Sequence, residues 1–350
     1  MAERLTIKKI AELSGVSAGT VDRILHNRGM VSKVAYDAVQ SVLKDNAYDY
    51  NIHTSAVAFK KTGKVFDIII SIPYSEEGEY WDIIREGLES GLEEYKDTPT
   101  NVKYIKFNQF SALSCRTAFD EVADSAPSAV ILGTTFNEEV ERLCNILDGK
   151  KIPYFFVDGM VENTNPTAHF MASQPACGRL LARLMDKMTP SGGEIAILLP
   201  KRIATTLSTN SRIRLEAFKA YFQEHYQANR LKETFFSADN PQLRQREIDS
   251  FLKQNPSVRG IAAVISTSYM ISDAVSGSRT KDICIGGFDV TKGNARCLRE
   301  ESLDFVIDQH PALQGFKAVE AMLHSLLYGS VETLRIESIP INVVLKENLE

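Results

Sequence analysis

The sequence predicts an α/β protein, two doubly wound parallel-sheet halves behind a small all-α N-terminal domain with a helix-turn-helix. Three observations predict it. From Thr6 to Asn46 apolar residues recur at helical spacing in three short blocks. From Phe66 onward short continuous apolar runs alternate with helical stripes, the pattern of a parallel sheet covered on both faces. The alternation starts afresh at Gly192, and 350 residues are too many for one ordinary core.

Residues 1–47 read as the helical domain. Thr6 is placed to cap a first helix whose inner face is Ile7, Ile10, Ala11 and Leu13. Gly15 supplies the left-handed backbone that ends that helix in a tight turn. Ser17 then caps a second helix by accepting from the amide of Thr20, and Val16 with Val21 makes a hydrophobic staple across the cap. Val21, Ile24 and Leu25 face inward, which turns Ala18, Gly19, Asp22, Arg23 and His26 outward. A third helix, capped by Ser32, buries Ala35, Ala38, Val39, Val42 and Leu43. Two helices joined so tightly are the arrangement whose second member enters the major groove of duplex DNA. Arg23 is the main base-reading candidate, because an Arg can make two bonds to guanine. Thr6, Ser17, Thr20 and Asn27 suit phosphate contacts, which position without reading sequence. A three-helix packing module that never meets nucleic acid has the same spacing.

Residues 48–64 are polar and weakly amphipathic, end in Lys60, Lys61 and Lys64, and read as a linker. Behind it the candidate strands are FDIIISIP, NVKYIKF, SAVILG and PYFFVD, then GGEIAILLP, RGIAAVIS, DICIGGFD and SLDFVIDQ. The clearest helix runs from Tyr80 to Tyr95, with Trp81, Ile84, Leu88, Leu92 and Tyr95 on one stripe and Gly87 and Gly91 allowing a neighbour close. A second lies around 212–225.

The formal net charge of −5 is unevenly spread: residues 1–61 hold nine Lys and Arg against six Asp and Glu, and the rest is acidic. A basic head on an acidic body suits a nucleic-acid module tethered to a part that should not touch DNA. No run reaches the ~18 to 20 apolar residues of a membrane helix, and MAERLTIKKI has no apolar signal core, so a cytoplasmic location is expected. The five cysteines form no CxxC pair and read as reduced core thiols. No cofactor or metal set is evident. The six histidines are scattered, HExxH, a Walker A loop and GxSxG are missing, and His310 beside Asp308 reads as a loop histidine, so an enzyme is not expected.

The head segment, residues 10–29, resembles the N-terminus of the LacI family of bacterial repressors, usually T-I-x-D-V-A-x-x-A-G-V-S-x-x-T-V-S-R-V-L-N. The matches are Thr6, Ile7, Ala11, Gly15, Val16, Ser17, Thr20, Val21, Arg23 and Leu25. Lys9, Asp22 and His26 replace the usual Asp, Ser and Asn. The family linker forms a hinge helix whose Leu wedges into the minor groove. Here Tyr50, Asn51 and then Thr54, Ser55, Ala56 and Val57 stand in its place, and a smaller apolar wedge unstacks bases less.

Residues 65–350 resemble the type I periplasmic sugar-binding protein fold, in its ribose- and galactose-binding branch, chiefly through DICIGGFDV and SLDFVIDQHPALQGFKAVEAM. The resemblance implies a lobe of residues 65–173 and 310–332 and another of 174–309 and 333–350. Ligands of open α/β sheets bind beyond the carboxyl ends of the strands. Tyr80, Trp81, Asp158, Arg212, Thr267, Asp289 and Gln309 occupy such positions, aromatics for the C–H faces of a sugar and polar groups for its hydroxyls. Trp81, the only tryptophan, fits core packing equally well, and Asp158 and Asp289 could each cap the next helix. Gly159 stands where ribose-binding relatives have Arg, and Thr267 replaces a usual Asn or Asp. The expected partners are a double-stranded operator, a sugar-like effector and a second copy of the chain. The competing expectations are a solute-binding protein with no role on DNA and a head that binds protein.

Overall fold

A computed structural model of the protein describes residues 6–25, 31–45, 52–201, 208–225, 227–275, 282–328 and 337–349. In the head, α1 (Ile7–Ser14), α2 (Ala18–Leu25) and α3 (Lys33–Asp45) close on Ile10, Val21, Ile24, Leu25, Val39 and Leu43. Leu13, assigned inward by spacing, is 48% exposed. The buried arc of this short helix runs through Ile7, Ile10, Ala11 and Ser14, and position 13 lies to one side of it. Residues expected as linker contain a helix, α4 (Ile52–Lys60), that buries Ile52, Ser55 and Ala56.

The first sheet is built from β1 (Phe66–Ser71), β2 (Thr100–Tyr104), β3 (Ala129–Gly133), β4 (Tyr154–Val157) and β5 (Ala168–Ala172). Between them run α5 (Tyr80–Glu94), α6 (Ala112–Asp124) and α7 (Asn137–Lys150). After α8 (Gln174–Met188) the second sheet takes β6 (Glu194–Lys201), β7 (Leu231–Ser237), β8 (Val258–Ala262), β9 (Cys284–Phe288) and β10 (Phe305–Asp308). Its helices are α9 (Thr209–Glu224), α10 (Pro241–Gln254), α11 (Tyr269–Val275) and α12 (Lys292–Arg299). The chain then returns to the first lobe with α13 (Pro311–Tyr328) and ends in β11 (Glu337–Ile339) and β12 (Asn342–Val344).

Among the described residues each sheet has six strands, in the orders β11-β5-β4-β3-β1-β2 and β12-β10-β9-β8-β6-β7, and only β12 pairs antiparallel. Every sheet face is packed. Ile68, Ile70, Ile131 and Phe155 meet α5 and α13 on one side of the first sheet, and Ile69, Val130, Leu132 and Phe156 meet α6 and α7 on the other. The second sheet repeats this with Ala196, Leu198 and Ile261 on one face and Ile195, Ile197 and Phe305 on the other. In the run CIGGF the paired glycines serve opposite faces: a Cβ on Gly286 would lie 2.3 Å from the Phe305 ring, and one on Gly287 1.8 Å from Ser268 Oγ.

Two expectations need correction. The resemblance puts residues 333–350 whole in the second lobe, yet β11 pairs with β5 of the first, Ile339 opposite Ala172, so the last crossing falls at residues 340–341. The expected strand RGIAAVIS ends at Ala262, and its last residues form a loop into the inter-lobe cleft. Strands β5 and β7 come without a continuous apolar run. β7, LKETFFS, is a sheet edge paired only with β6, which leaves Lys232 and Glu233 in contact with solvent.

Candidate functional site

The turn of the head has the caps its sequence calls for. Thr6 Oγ1 accepts from the amide of Lys9 at 3.3 Å, Gly15 has φ 69°, and Ser17 Oγ accepts from the amide of Thr20 at 3.1 Å. The Ser17 and Thr20 hydroxyls also share a hydrogen bond of 2.9 Å. Val21 is fully buried with Val16 packed beside it. The outer face of α2 therefore carries exposed Ala18, Gly19 and Arg23, with Thr20 and Asp22 half-buried. Lys9 pairs with Glu12 at 3.0 Å on the outside of α1. His26 and Asn27 lie outside the described residues, as do Tyr50 and Asn51 of the linker.

Between the lobes lies a cleft of about 1200 Å³ whose lining includes Tyr80, Trp81, Asp158, Asn210, Arg214 and Thr267. Tyr80 opens α5 just beyond β1, and its hydroxyl donates to Asp158 Oδ1 at 2.6 Å. Asp158 follows β4 with φ 76°, and Asp289 follows β9 with φ 62°. Each acid thus sits at the same structural place in its own sheet, in a left-handed backbone that Asp tolerates better than most residues. Trp81 is 5% exposed, and its ring packs over Gly133, so it serves the first-lobe core while edging the cleft.

Arg212 is placed elsewhere than expected. It points outward and pairs with Glu216 at 3.0 Å, and the guanidinium in the cleft wall belongs to Arg214, 4% exposed. On α9 the buried stripe is Ser211, Arg214, Leu215, Phe218 and Phe222, and position 212 is off it. Arg214 Nε donates to Gln174 Oε1 at 2.5 Å and Nη2 to Gln309 Oε1 at 2.7 Å, while its guanidinium lies over the Phe288 ring at 4.4 Å. Asp289 and Gln309 are fully buried one layer behind the cleft surface. Gln309 Nε2 donates to both Asp289 oxygens at 3.1 and 2.9 Å, and Ser266 Oγ donates to Asp289 Oδ2 at 2.5 Å.

Sequence reasoning missed Arg214, Asn210, Ser266, Gln174 and Gln314. Asn210 belongs to α9 of the second lobe and donates from Nδ2 to the Asp158 carbonyl of the first at 2.9 Å. Other contacts also cross the cleft: the Lys292 amide donates to the Gly78 carbonyl at 2.9 Å, and Glu79 is hydrogen-bonded to Tyr269.

Burial dominates the electrostatics. It pushes Asp289 up to about 7, helped by the charge of nearby Asp308 and opposed by Arg214. It also raises Asp158, against the Tyr80 hydrogen bond and Arg214, and holds the Tyr80 phenol well above its ordinary value. The arrangement can present buried, pre-oriented donors and acceptors to a small polar molecule closed between two lobes. His310 Nδ1 lies 3.1 Å from Asp308 Oδ2. Among the described residues no group of three His, Cys, Asp or Glu is placed to hold a metal, and no helix is long and apolar enough to cross a membrane.

Fold and cleft define a two-lobed receptor of the periplasmic-binding-protein type, carried behind a helix-turn-helix. Residues 68–329 match the periplasmic binding protein domain family, and residues 6–51 match the bacterial regulatory proteins of the lacI family. The chain belongs to the lacI family of bacterial regulators, in the form whose sensor is a periplasmic binding protein domain. It is 26% identical over 294 residues to the ribose operon repressor of Halalkalibacterium halodurans, covering 81% of this chain and 80% of that protein. It is 24% identical over 216 residues to the xylose/arabinose-binding protein XylF of Sulfolobus acidocaldarius, with 57% of this chain spanning about half, 51%, of that relative. A solved Bacteroides fragilis chain assigned as a LacI transcriptional regulator superposes with a TM-score of 0.76 at 25% identity, over 81% of this chain and 98% of that one.

Proposed function

We propose that this protein is a ligand-responsive transcription repressor of the cytoplasm that binds a pseudo-palindromic operator as a homodimer and senses a small sugar or sugar derivative. The observation that carries the reading is the union, in one chain, of an α2 whose exposed face offers Arg23 and a buried polar cleft whose walls come from two lobes. In the operator complex, Ala18, Gly19, Asp22, Arg23 and His26 face base edges, and Thr6, Ser17, Thr20 and Asn27 face phosphates. The effector reading assigns Tyr80 and Trp81 to the flat faces of the sugar. Asp158, Asn210, Arg214 and Thr267 take its hydroxyls, with Asp289 and Gln309 holding Arg214 from behind. Arg212 has no part in it, since its side chain is committed to Glu216.

Sugar sensing is supported by what two relatives are named for, ribose in one and xylose or arabinose in the other. Ribose itself is disfavoured by Gly159, which stands where the ribose binders have Arg and offers no side chain to a hydroxyl. We take the protein to bind its effector without chemistry. A coupling of about 1 to 3 kcal/mol between cleft closure and DNA affinity is enough for a 5- to 150-fold response.

The test is selection of genomic duplex fragments by the purified chain at physiological salt, beside a truncated chain beginning at Lys64. Enrichment of a pseudo-palindromic site by the full chain alone is the expected result. Failure of both to enrich any sequence would leave the second reading, a solute-binding protein without a role on DNA.

A further inference from the structure

The inter-lobe cleft is larger than one sugar ring requires. Its volume of about 1200 Å³ exceeds the ~300 to 1000 Å³ of most small-molecule pockets, although the Asn210–Asp158 and Lys292–Gly78 contacts already join the lobes. The side chains assigned so far to the sugar leave much of the first-lobe wall without a task. That wall follows the sheet: β4, β3, β1 and β2 lie side by side in this order, and residues beyond each carboxyl end line the cleft. Asp158 follows β4, Thr135 follows β3, Tyr74 follows β1, and Asn108, Gln109 and Phe110 follow β2. At about 4.8 Å per strand spacing the row from β4 to β2 is ~14 Å long, more than a single ring covers.

The β1–β2 end of this row has the parts of a second sugar position. Tyr74 is 61% exposed and Phe110 40%, so two aromatic rings keep apolar surface in a polar cleft wall, the kind of surface that takes the C–H face of a sugar. Their loops are held in place. β1 and β2 pair once more beyond their ends, Pro73 with Phe107, and the Tyr74 amide donates to the Phe107 carbonyl at 2.7 Å. In the β2 loop Asn108 Oδ1 accepts from the Phe110 amide at 2.9 Å, and Ser114 Oγ accepts from the Asn108 amide at 3.0 Å. Loops ordered beforehand lose little freedom on binding. Gln109 brings an amide that can donate to or accept from hydroxyls. Between this end and Asp158 stands Thr135, whose Oγ1 is buried and has no hydrogen-bond partner. Buried hydroxyls are almost always hydrogen-bonded, so an unpartnered one in the wall of a ligand cleft points to the ligand as its partner.

We propose that the effector is an oligosaccharide of two or more rings, one lying between Tyr80, Asp158 and Arg214 and the next against Tyr74 and Phe110, with a hydroxyl on Thr135 Oγ1. The assignment rests on the reading of the cleft as a sugar site, to which it adds the size of the ligand and Tyr74 as a residue that selects it. A monosaccharide in the inner position leaves Thr135 Oγ1 unpaired and the Tyr74 ring uncovered, so the longer ligand is preferred by the contacts that only it can make.

Native mass spectrometry of the full chain counts the bound rings directly. The probes are partial hydrolysates of xylan, arabinan, galactan, mannan and starch, beside the same polysaccharides hydrolysed completely to monosaccharides. The expected result is a bound mass of two or more sugar units from a partial hydrolysate, with weaker binding or none from its complete hydrolysate. Titration calorimetry with the oligosaccharide so identified should show affinity lower on the order of tenfold in Tyr74→Ala. Thr135→Val should weaken it about fivefold without lowering the melting temperature, since the hydroxyl removed has no partner in the chain. Leu243→Ala, at an exposed leucine of α10 outside the cleft, should match the native protein. A single sugar unit as the largest bound mass, or native affinity for the oligosaccharide in Tyr74→Ala, would overturn the proposal and leave the sugar reading in place. Binding of no sugar of any size would remove both, so the two failures are distinct.

Discussion

The two lobes present the same element at the same place, an aspartate in left-handed backbone just beyond a central strand, and surround it differently. Asp289 is locked from within its own lobe and the adjoining strand end, by Ser266 and Gln309, with Arg214 and Gln174 completing a closed network. The carboxylate of Asp158 takes one bond from its own lobe, that of the Tyr80 hydroxyl, while the residue's carbonyl takes another from Asn210 across the cleft. The difference assigns the second lobe as the pre-formed half of the site, and the first as the half completed when the lobes come together.

The comparison is broken most severely at Arg214. Arg214→Met removes a buried guanidinium and strands the Gln174 and Gln309 carbonyls, and hydrogen bonds from charged groups are each worth about 1.5 to 3 kcal/mol. Urea denaturation is expected to show a loss of about 3 kcal/mol or more; a loss under about 1 would mean the network is not what orders the second lobe.

Next comes Asp289 and pH. Burial raises this carboxyl from 3.8 to about 7, so the folded chain holds the proton more tightly than the unfolded chain. Stability from this group is therefore greatest at low pH and falls as pH rises through the window between about 4 and 7. The difference in unfolding free energy between native protein and Asp289→Asn should drift by a few kcal/mol across that window, in the variant's favour as pH rises. Parallel pH profiles would contradict the burial of an ionisable acid there.

On the first-lobe side the effects are smaller. Tyr80→Phe leaves Asp158 without its phenol and should cost about 1 to 2 kcal/mol in the same denaturation experiment. Asn210→Ala should cost about 1 kcal/mol or less, because it removes a bond between lobes and not one within a core. Its readout is shape: small-angle scattering should give a larger radius of gyration for the variant, and an unchanged value would deny Asn210 a part in closure.

The same contrast explains what the sequence could tell. Most buried central strands announce themselves as apolar runs, so β1, β3, β4, β6 and β9 are legible, whereas β7 and β11 at the sheet edges lack that signature, as does the inner strand β5, where His169 and Met171 alternate with buried residues. The head was legible because its caps are local: Thr6, Gly15 and Ser17 act on amides or turns within three residues. Asp158, Asp289 and Gln309 could be placed from their strand ends alone. Asn210 and Gln314 could not, since each acts on a strand end 52 or more positions away and carries no motif. Arg214 was within reach of helical periodicity, which separates it from Arg212 on α9.

The central claim, that one chain joins a DNA-reading head to this sensor, is tested most directly by the salt dependence of affinity for the duplex enriched in selection, measured with the full chain and with Arg23→Ala. The account predicts a steep loss for the native chain, on the order of 1000-fold between about 50 and 200 mM salt, because bound phosphates release their counterions. Arg23→Ala should bind that duplex more weakly by about 1 to 3 kcal/mol and discriminate less against changes at one base pair. Affinity indifferent to salt and unaltered by Arg23→Ala would contradict it.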